Sequence, residues 1–450
     1  MNSAEKLNQN TAFRETIKRR PFGFEAEERQ KLPWLLDIRE RAYERFGALG
    51  FPTRKSETWK YIHLDPILNS PFLSAETNAN PAAEDENGLK PYLFSESESN
   101  RLVFLNGVHS AKLSSARNLP AGCILENLST ALEKNPALVK THLAKNISEE
   151  QNPFAMINAF CFREGVFLYL AKNCEIKEPI HLVFLDLACD PKLISHPRLL
   201  VVADQNSKAT LVLNHVGLSK GQTLMNGAVE IHLAKEADLK ISAIQRNAYQ
   251  FLTWRTRLHE GSRFDLTSIH LNGIFEQNDI QVDFEGAGAS CSLSGLSVLE
   301  GFSQVFHHAL VNHRAPNCTS RQLYKSILAD EAKSEFNSLV HVLPGAQKSD
   351  SNQLNRNLLL SESARVFSRP QLKIYADDVK ATHGSATGQL AKDELFYLRS
   401  RGLTMNAARH LLTYGFAKEV LELICPVNLR KQLENAVEMQ LGNMVKKESV

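Results

Sequence analysis

Apolar residues along this chain keep two different periods. In RQKLPWLLDIRERAYERFGALGF, Leu32, Leu35, Leu36, Ile38, Ala42 and Phe46 fall close to one face of a helix, and Gly47 and Gly50 end the pattern. In the next stretch, TRKSETWKYIHLDPIL, Ser56 is a suitable helix cap, Trp59 and Tyr61 are aromatic anchors, and Pro66 interrupts. Residues 74–100 are polar, acidic and poor in β-branched side chains, which predicts a mobile connection. From Arg101 to about Val379 the helical period fades, apart from residues 124–146. Short alternating runs replace it, among them ATLVLNHV, LKISAIQR, RFDLTSIHL and SCSLSGLSVL, each bounded by Gly, Asn, Asp or Ser. Beyond residue 389 the pattern is helical again. Gly402 breaks it, Thr404 can cap a second helix, and Met405, Ala408, Leu411, Leu412, Gly415, Phe416, Val420 and Leu423 make a broad apolar stripe.

A small residue recurs near the start of successive strand runs, at Ala209, Ala237, Ser262, Ala289 and Cys318, roughly 27 residues apart. Many short strands fit either a sandwich of hairpins or a solenoid of stacked coils. Asn226-Gly227 and Asn272-Gly273 are hairpin-turn dipeptides, but the repeat length suits one coil of a β-helix and favours the solenoid. A rod of stacked coils has open ends, and helical regions before and after it are placed in sequence to cover them. The organisation expected is therefore a helical region over residues 1–72, an acidic linker over 73–100, a β-helix core over 101–388 and a helical domain over 389–450.

Composition narrows the function more than the fold. The chain has 450 residues, 43% hydrophobic and 23% charged, with a net charge of +2, so no strong attraction to nucleic acid or membrane is expected. No apolar run approaches the roughly 20 residues that span a bilayer. The N-terminal stretch lacks the apolar core of a signal peptide, which predicts a cytoplasmic protein. The seven cysteines form no CxxC pair and read as reduced, buried thiols. No GxxxxGK[ST] loop, strand-borne GxGxxG, GxSxG or HExxH occurs. GAGAS at 286–290 reads as small-residue packing within a strand repeat.

Three histidine or carboxylate groups remain. His307, His308 and His313 are the densest histidine cluster and are expected to include a partly exposed pair on a solvated face. Asp377 and Asp378 are adjacent, so a strand would point them to opposite faces, and a turn-forming role is expected. His383, in KIYADDVKATHGSATGQL, has Thr382, Gly384 and Ser385 beside it, too small to bury an imidazole.

RKSETWKYIHLDPIL, YADDVKATHGSATGQL and DELFYLRSRGL leading into AARHLLTYGFAKEVL resemble the SufD family of iron–sulfur cluster assembly proteins. The most specific part of the resemblance runs from Val366 to Val420. It implies a mainly β protein, a right-handed parallel β-helix between helical domains. It also implies a non-enzymatic scaffold subunit that pairs with a SufB-like paralogue and with a SufC-like ATPase, or with a second copy of itself when alone. A transient iron–sulfur cluster would be shared with the partner, and flavin binding is left open. The family histidine implicated in building the cluster matches His383, a candidate iron ligand, since neutral imidazole replaces cysteine in some clusters. Family members often carry cysteine two positions earlier, where this chain has Ala381, so the thiolates would come from the partner. HGSATG also favours SufD over SufB. The ATPase-binding surface implied lies on the C-terminal helices at Leu403, Met405, Ala408, Leu411, Leu412, Phe416 and Val420. Two readings from other classes stay open: a carbohydrate-active β-helix enzyme with Asp377 and Asp378 as acids, and a structural dimerising scaffold in which His383 has no chemical role.

Overall fold

Alternation builds the molecule. In the computed structural model, which describes Phe13, Ile17 and residues 31–75, 90–92, 98–187, 192–218 and 223–447, the alternating runs form a parallel β-solenoid with two walls. One wall stacks eight parallel strands from Gly165–Leu170 to Arg365–Ile374, and the other stacks nine from Asn100–Leu105 to Lys380–Gly388. Successive strands alternate between the walls, so each coil contributes one strand to each. Parallel pairing in register puts equivalent side chains of neighbouring coils directly above one another. The apolar inward rows, such as Leu211, Ile241, Leu266 and Leu293 on one wall and Val229, Trp254 and Ile280 on the other, close a continuous core between the walls.

The coil corners explain the repeat of small residues. Asn206, Glu236, Gly261, Gly288, Asn317 and Lys348 all have φ between 57° and 72°, the left-handed conformation that Gly and Asn tolerate best. Each donates its N–H to a carbonyl of the next coil, at 2.6–3.1 Å. The residue that follows each is small and buried: Ser207, Ala237, Ser262, Ala289, Cys318 and Ser349. Ala209, expected to begin this series, pairs with Leu239 instead, two positions further along the same face. Ser207 occupies the corner.

The outer faces of the two walls are covered differently. Against the first wall pack the helix Pro33–Leu49, Trp59 and the fully buried helix Pro153–Cys161. Phe154 stacks on Phe251 with ring centroids 3.6 Å apart. The N-terminal helical cluster thus draws on residues well beyond 72, including Leu128, Val139 and Phe160. Most of the expected acidic linker lies outside the described residues. Of its described parts, Leu73–Ser74 forms a short strand pairing with Leu193 and Ile194, and Tyr92 accepts a hydrogen bond from Asn214.

The C-terminal helices Met405–Leu421 and Val427–Lys447 lie along the outer face of the second wall. Val420, Leu421, Leu433, Val437 and Leu441 meet Val212, Ile244, Ile269, Leu296 and Ile327 there. They do not cover the end of the rod, contrary to expectation. A long apolar stripe buries more area along the wall's outer ridge than a single coil's end could offer. The first end is closed by antiparallel additions, Ile124–Asn127 on one wall and the pair Val108–His109 and Ser115–Ala116 on the other. Among the described residues nothing packs over the far end.

His307, His308 and His313 are all buried, not solvated. Strand alternation holds across all six residues, so His307 and His313 both face the interior, while His308 points outward to Glu335 at 3.3 Å. Burial pushes His313 down to about 4, and it pushes His181 and His270 to about 3. These rings are neutral in the fold but take a proton near 6.5 when unfolded, so stability is present above pH 6.5 and lost as pH falls toward 4. Glu276, whose carboxyl burial raises to about 8, is hydrogen-bonded to His270, so that pair offsets itself over pH 4.5–6.5 and the other buried rings, His181 and His313 among them, set the trend. Each unopposed group contributes about 1.4 kcal/mol per pH unit. The melting temperature is expected to drop markedly between pH 7 and pH 5 by calorimetry. A flat profile would show that these rings stay accessible to protons in the fold.

Candidate functional site

The bare end of the rod is formed by Arg365–Ile374 and Lys380–Gly388, each the last strand of its wall. His383 pairs in register with Gln353 of the coil below. Gln353 is fully buried and donates to Ser338 Oγ across the interior at 2.9 Å. His383 therefore belongs to the inward row, with Ala381, Ser385 and Thr387. Ser385 Oγ meets Ser368 Oγ of the opposite strand at 2.7 Å, and Thr387 accepts from Asn357 at 3.2 Å. In the same register Pro370 lies over Ser338, so His383 and Pro370 occupy facing rows. Among the described residues no coil lies above them. An imidazole in a row that is interior everywhere else is thus exposed to whatever covers this end.

The small neighbours are not what uncovers the ring, since Thr382 and Gly384 lie on the alternate face of the strand. Thr382 points the other way and accepts from Asn352 at 2.8 Å. A methyl group at Gly384 would meet Leu354 at 3.4 Å, an ordinary contact. Ala381 stacks on Ser351 and offers no sulfur. Among the described residues, no three His, Cys, Asp or Glu side chains are placed to hold a metal ion. What this end can supply by itself is one nitrogen donor and an unpaired strand edge.

Asp377 and Asp378 are exposed in the turn joining the two terminal strands. Asp378 continues the corner ladder, its carbonyl accepting from Lys348 N–H at 2.6 Å and its own N–H donating to Gln347 Oε1 at 2.9 Å. The pair is exposed, and Asp378 takes part in the corner hydrogen bonding, which fits the turn-forming role expected of it.

The C-terminal stripe divides in two. Ala408 and Val420 are fully buried against the chain's own core, so they are unavailable to a partner. That corrects the expectation for these two positions; a stripe wider than one interface needs supplies both faces. Leu403, Leu412 and Phe416 are half-buried, and Lys325 Nζ lies 4.6 Å over the Phe416 ring. Met405 and Leu411 are exposed at 39% and 49%. Beside them the helix Lys392–Ser400 buries none of its residues and leaves Phe396 76% and Tyr397 56% exposed. Sequence reasoning missed these two. The signal was two adjacent aromatics on a short helix rich in charged residues.

A cleft of about 580 Å³ runs along the outer face of the first wall, between Glu57–Trp59, residues 146–152 and the strands. At one end Arg255 bonds Glu150 at 2.6 Å and Asp279 at 2.8 Å. Asn152, which also caps the helix Pro153–Cys161, donates to Asp279 at 2.8 Å. Burial opposes ionisation of Asp279, but Arg255 outweighs it and holds the carboxyl below its usual range. No motif marked this network in the sequence, because its members lie far apart along the chain.

Among the described residues no helix is long and apolar enough to cross a membrane. The profile described as "SUF system FeS cluster assembly, SufBD core domain" matches residues 187–416, and "SufBD protein N-terminal region" matches residues 25–182. Their division near residue 185 includes the helices over 128–161 with the N-terminal part, as the packing does. An iron–sulfur cluster assembly SufBD family protein of Synechocystis is 29% identical over 90% of each chain. The iron–sulfur cluster assembly protein SufD of Escherichia coli is 27% identical, covering 91% of this chain and 93% of its own. SufD of Bacillus subtilis is 25% identical over 92% and 96%. With two family profiles matching in order along nearly its whole length, the chain belongs to the SufBD family of the SUF iron–sulfur cluster assembly system.

Proposed function

We propose that this chain is the SufD-like, non-catalytic scaffold subunit of a cytoplasmic assembly complex. It pairs with a SufB-like paralogue through the bare end of the rod. His383 gives one nitrogen to a transient iron–sulfur cluster whose thiolates come from that paralogue. A SufC-like ATPase docks on the exposed part of the C-terminal helices, around Phe396, Tyr397, Met405 and Leu411. The observation that carries this reading is the position of His383. It sits in the inward row of the last coil, on a strand with an open hydrogen-bonding edge. An uncovered edge of this kind is ordinarily blunted or paired, and a second rod adding a strand here would bring its own side chains over the imidazole.

The test is His383→Ala in the assembled complex, reconstituted anaerobically with iron and sulfide. Stability should change by less than about 0.5 kcal/mol, since the ring is exposed and packs on little. Iron bound per complex is expected to fall roughly tenfold, in the range seen when metal sites lose a supporting group. A variant complex that assembles and carries the wild-type iron load would leave His383 as a surface residue and favour the structural-scaffold reading.

A further inference from the structure

At the closed end of the rod two cysteines that are 51 positions apart in sequence come into direct contact. Cys123 Sγ lies 2.9 Å from Cys174 Sγ. Both cysteines are tied to the same residue: Ala171 N–H donates to Cys123 Sγ at 3.4 Å, while the Ala171 carbonyl accepts from the Cys174 backbone N–H at 3.2 Å. Cys123 is half-buried, follows the exposed Ala121 and Gly122, and is reachable from solvent; Cys174 is buried in the core between the walls. The other described thiols differ. Cys291 is buried within a wall, and Cys318 donates to the Gly286 carbonyl. Among the described residues, only Cys123 and Cys174 make sulfur–sulfur contact.

We propose that Cys123 and Cys174 form a two-electron redox site that reacts with peroxides and closes to a disulfide. The two thiols have unequal roles. Cys123 has the solvent access that Cys174 lacks, so it is the attacking sulfur. Burial first, and the neighbouring Cys123 second, push the Cys174 thiol up to about 12, which keeps it protonated until its partner has reacted. In the first step the Cys123 thiolate attacks one peroxide oxygen. The S–O bond forms, the O–O bond breaks, and the departing hydroxide takes a proton to leave as water. In the second step Cys174 sulfur attacks Cys123 sulfur, the S–S bond forms and the S–O bond breaks. The Cys174 proton leaves with the hydroxyl as a second water. Two thiols are oxidised and one peroxide is reduced to two waters.

The link would join the turn before the antiparallel strand Ile124–Asn127 to the turn after the first coil strand, Gly165–Leu170. It would staple the cap onto the rod at the end opposite His383.

The experiment is titration of the full-length folded chain with hydrogen peroxide, followed by alkylation and non-reducing peptide mapping. The expected product is a Cys123–Cys174 linked peptide lighter by two hydrogens, with the other thiols still alkylated and the melting temperature shifted upward. With Cys174→Ser, Cys123 should stop at the sulfenic acid and be trapped by dimedone. With Cys123→Ser, Cys174 should remain an unmodified thiol. The proposal is overturned if the link forms only in denaturant. It is equally overturned if Cys291 or Cys318 oxidises before the pair, or if Cys174 reacts as fast in the Cys123→Ser variant as in the wild type.

Discussion

Arg255→Ala is expected to lower the unfolding free energy by about 3–5 kcal/mol, the cost of removing one partner from a buried ion network. The guanidinium bridges Glu150, from the segment preceding the helix Pro153–Cys161, and Asp279, from the first wall of the rod. The Arg255 side chain is only 13% exposed, so the ion network is largely shielded from water. Its loss would leave two carboxylates facing each other with Asn152 as the remaining donor to Asp279. The damage should concentrate where the N-terminal cluster meets the rod, because that is the seam the network spans. Urea unfolding supplies the magnitude, and amide exchange over residues 146–161 supplies the place. Arg255→Lys should lose less, keeping the charge but not the two-pronged geometry. Arg255→Met combined with Glu150→Gln and Asp279→Asn should recover most of the loss, since no unpaired charge is left. A single Arg255→Ala variant within 1 kcal/mol of wild type would mean that the cleft admits enough water to solvate both carboxylates.

The second large effect separates two residues on one helix. Val420→Asp buries a carboxylate among Leu421, Ile424 and the outer row of the second wall, and should unfold the C-terminal helices. Leu411→Asp puts the same charge on a side chain that is 49% exposed and should leave circular dichroism and melting temperature near wild type. Under the proposed docking, both lose the ATPase in a pull-down, one by unfolding and one by desolvating a charge at the interface. A cost of several kcal/mol there is enough to lose a micromolar complex. Folded Leu411→Asp that still captures the ATPase would move the docking surface elsewhere, with Phe396 and Tyr397 the next positions to charge.

Much of the fold was legible because it depends on local rules. Alternation of apolar and polar residues specifies a strand, and a repeat of about 27 specifies a coil. The small residues at Ala237, Ser262, Ala289 and Cys318 marked the corners, since each follows a left-handed position with no room for a larger side chain. Ala209 was misplaced in that series because register depends on pairing with the neighbouring coil, not on spacing along the chain. The three histidines at 307, 308 and 313 were misread for a related reason. Imidazole is polar on any scale, and only the opposite wall shows that two of these rings line the interior.

The sequence by itself determined a strand-repeat rod between helical segments, a histidine uncovered by its own neighbours and an apolar stripe wider than one interface requires. Those features follow from side-chain size and from periods of a few residues, which hold wherever the segment packs. Only the tertiary structure decided which end of the rod stays bare. The C-terminal helices bury more apolar surface along the second wall than they could across one coil, so they leave His383 open. It also decided that Ala408 and Val420 belong to the core while Leu411 does not, and it brought Cys123 to Cys174 and Arg255 between Glu150 and Asp279. Contacts between residues so far apart in the chain depend on how coils and helices stack, and no local pattern encodes that.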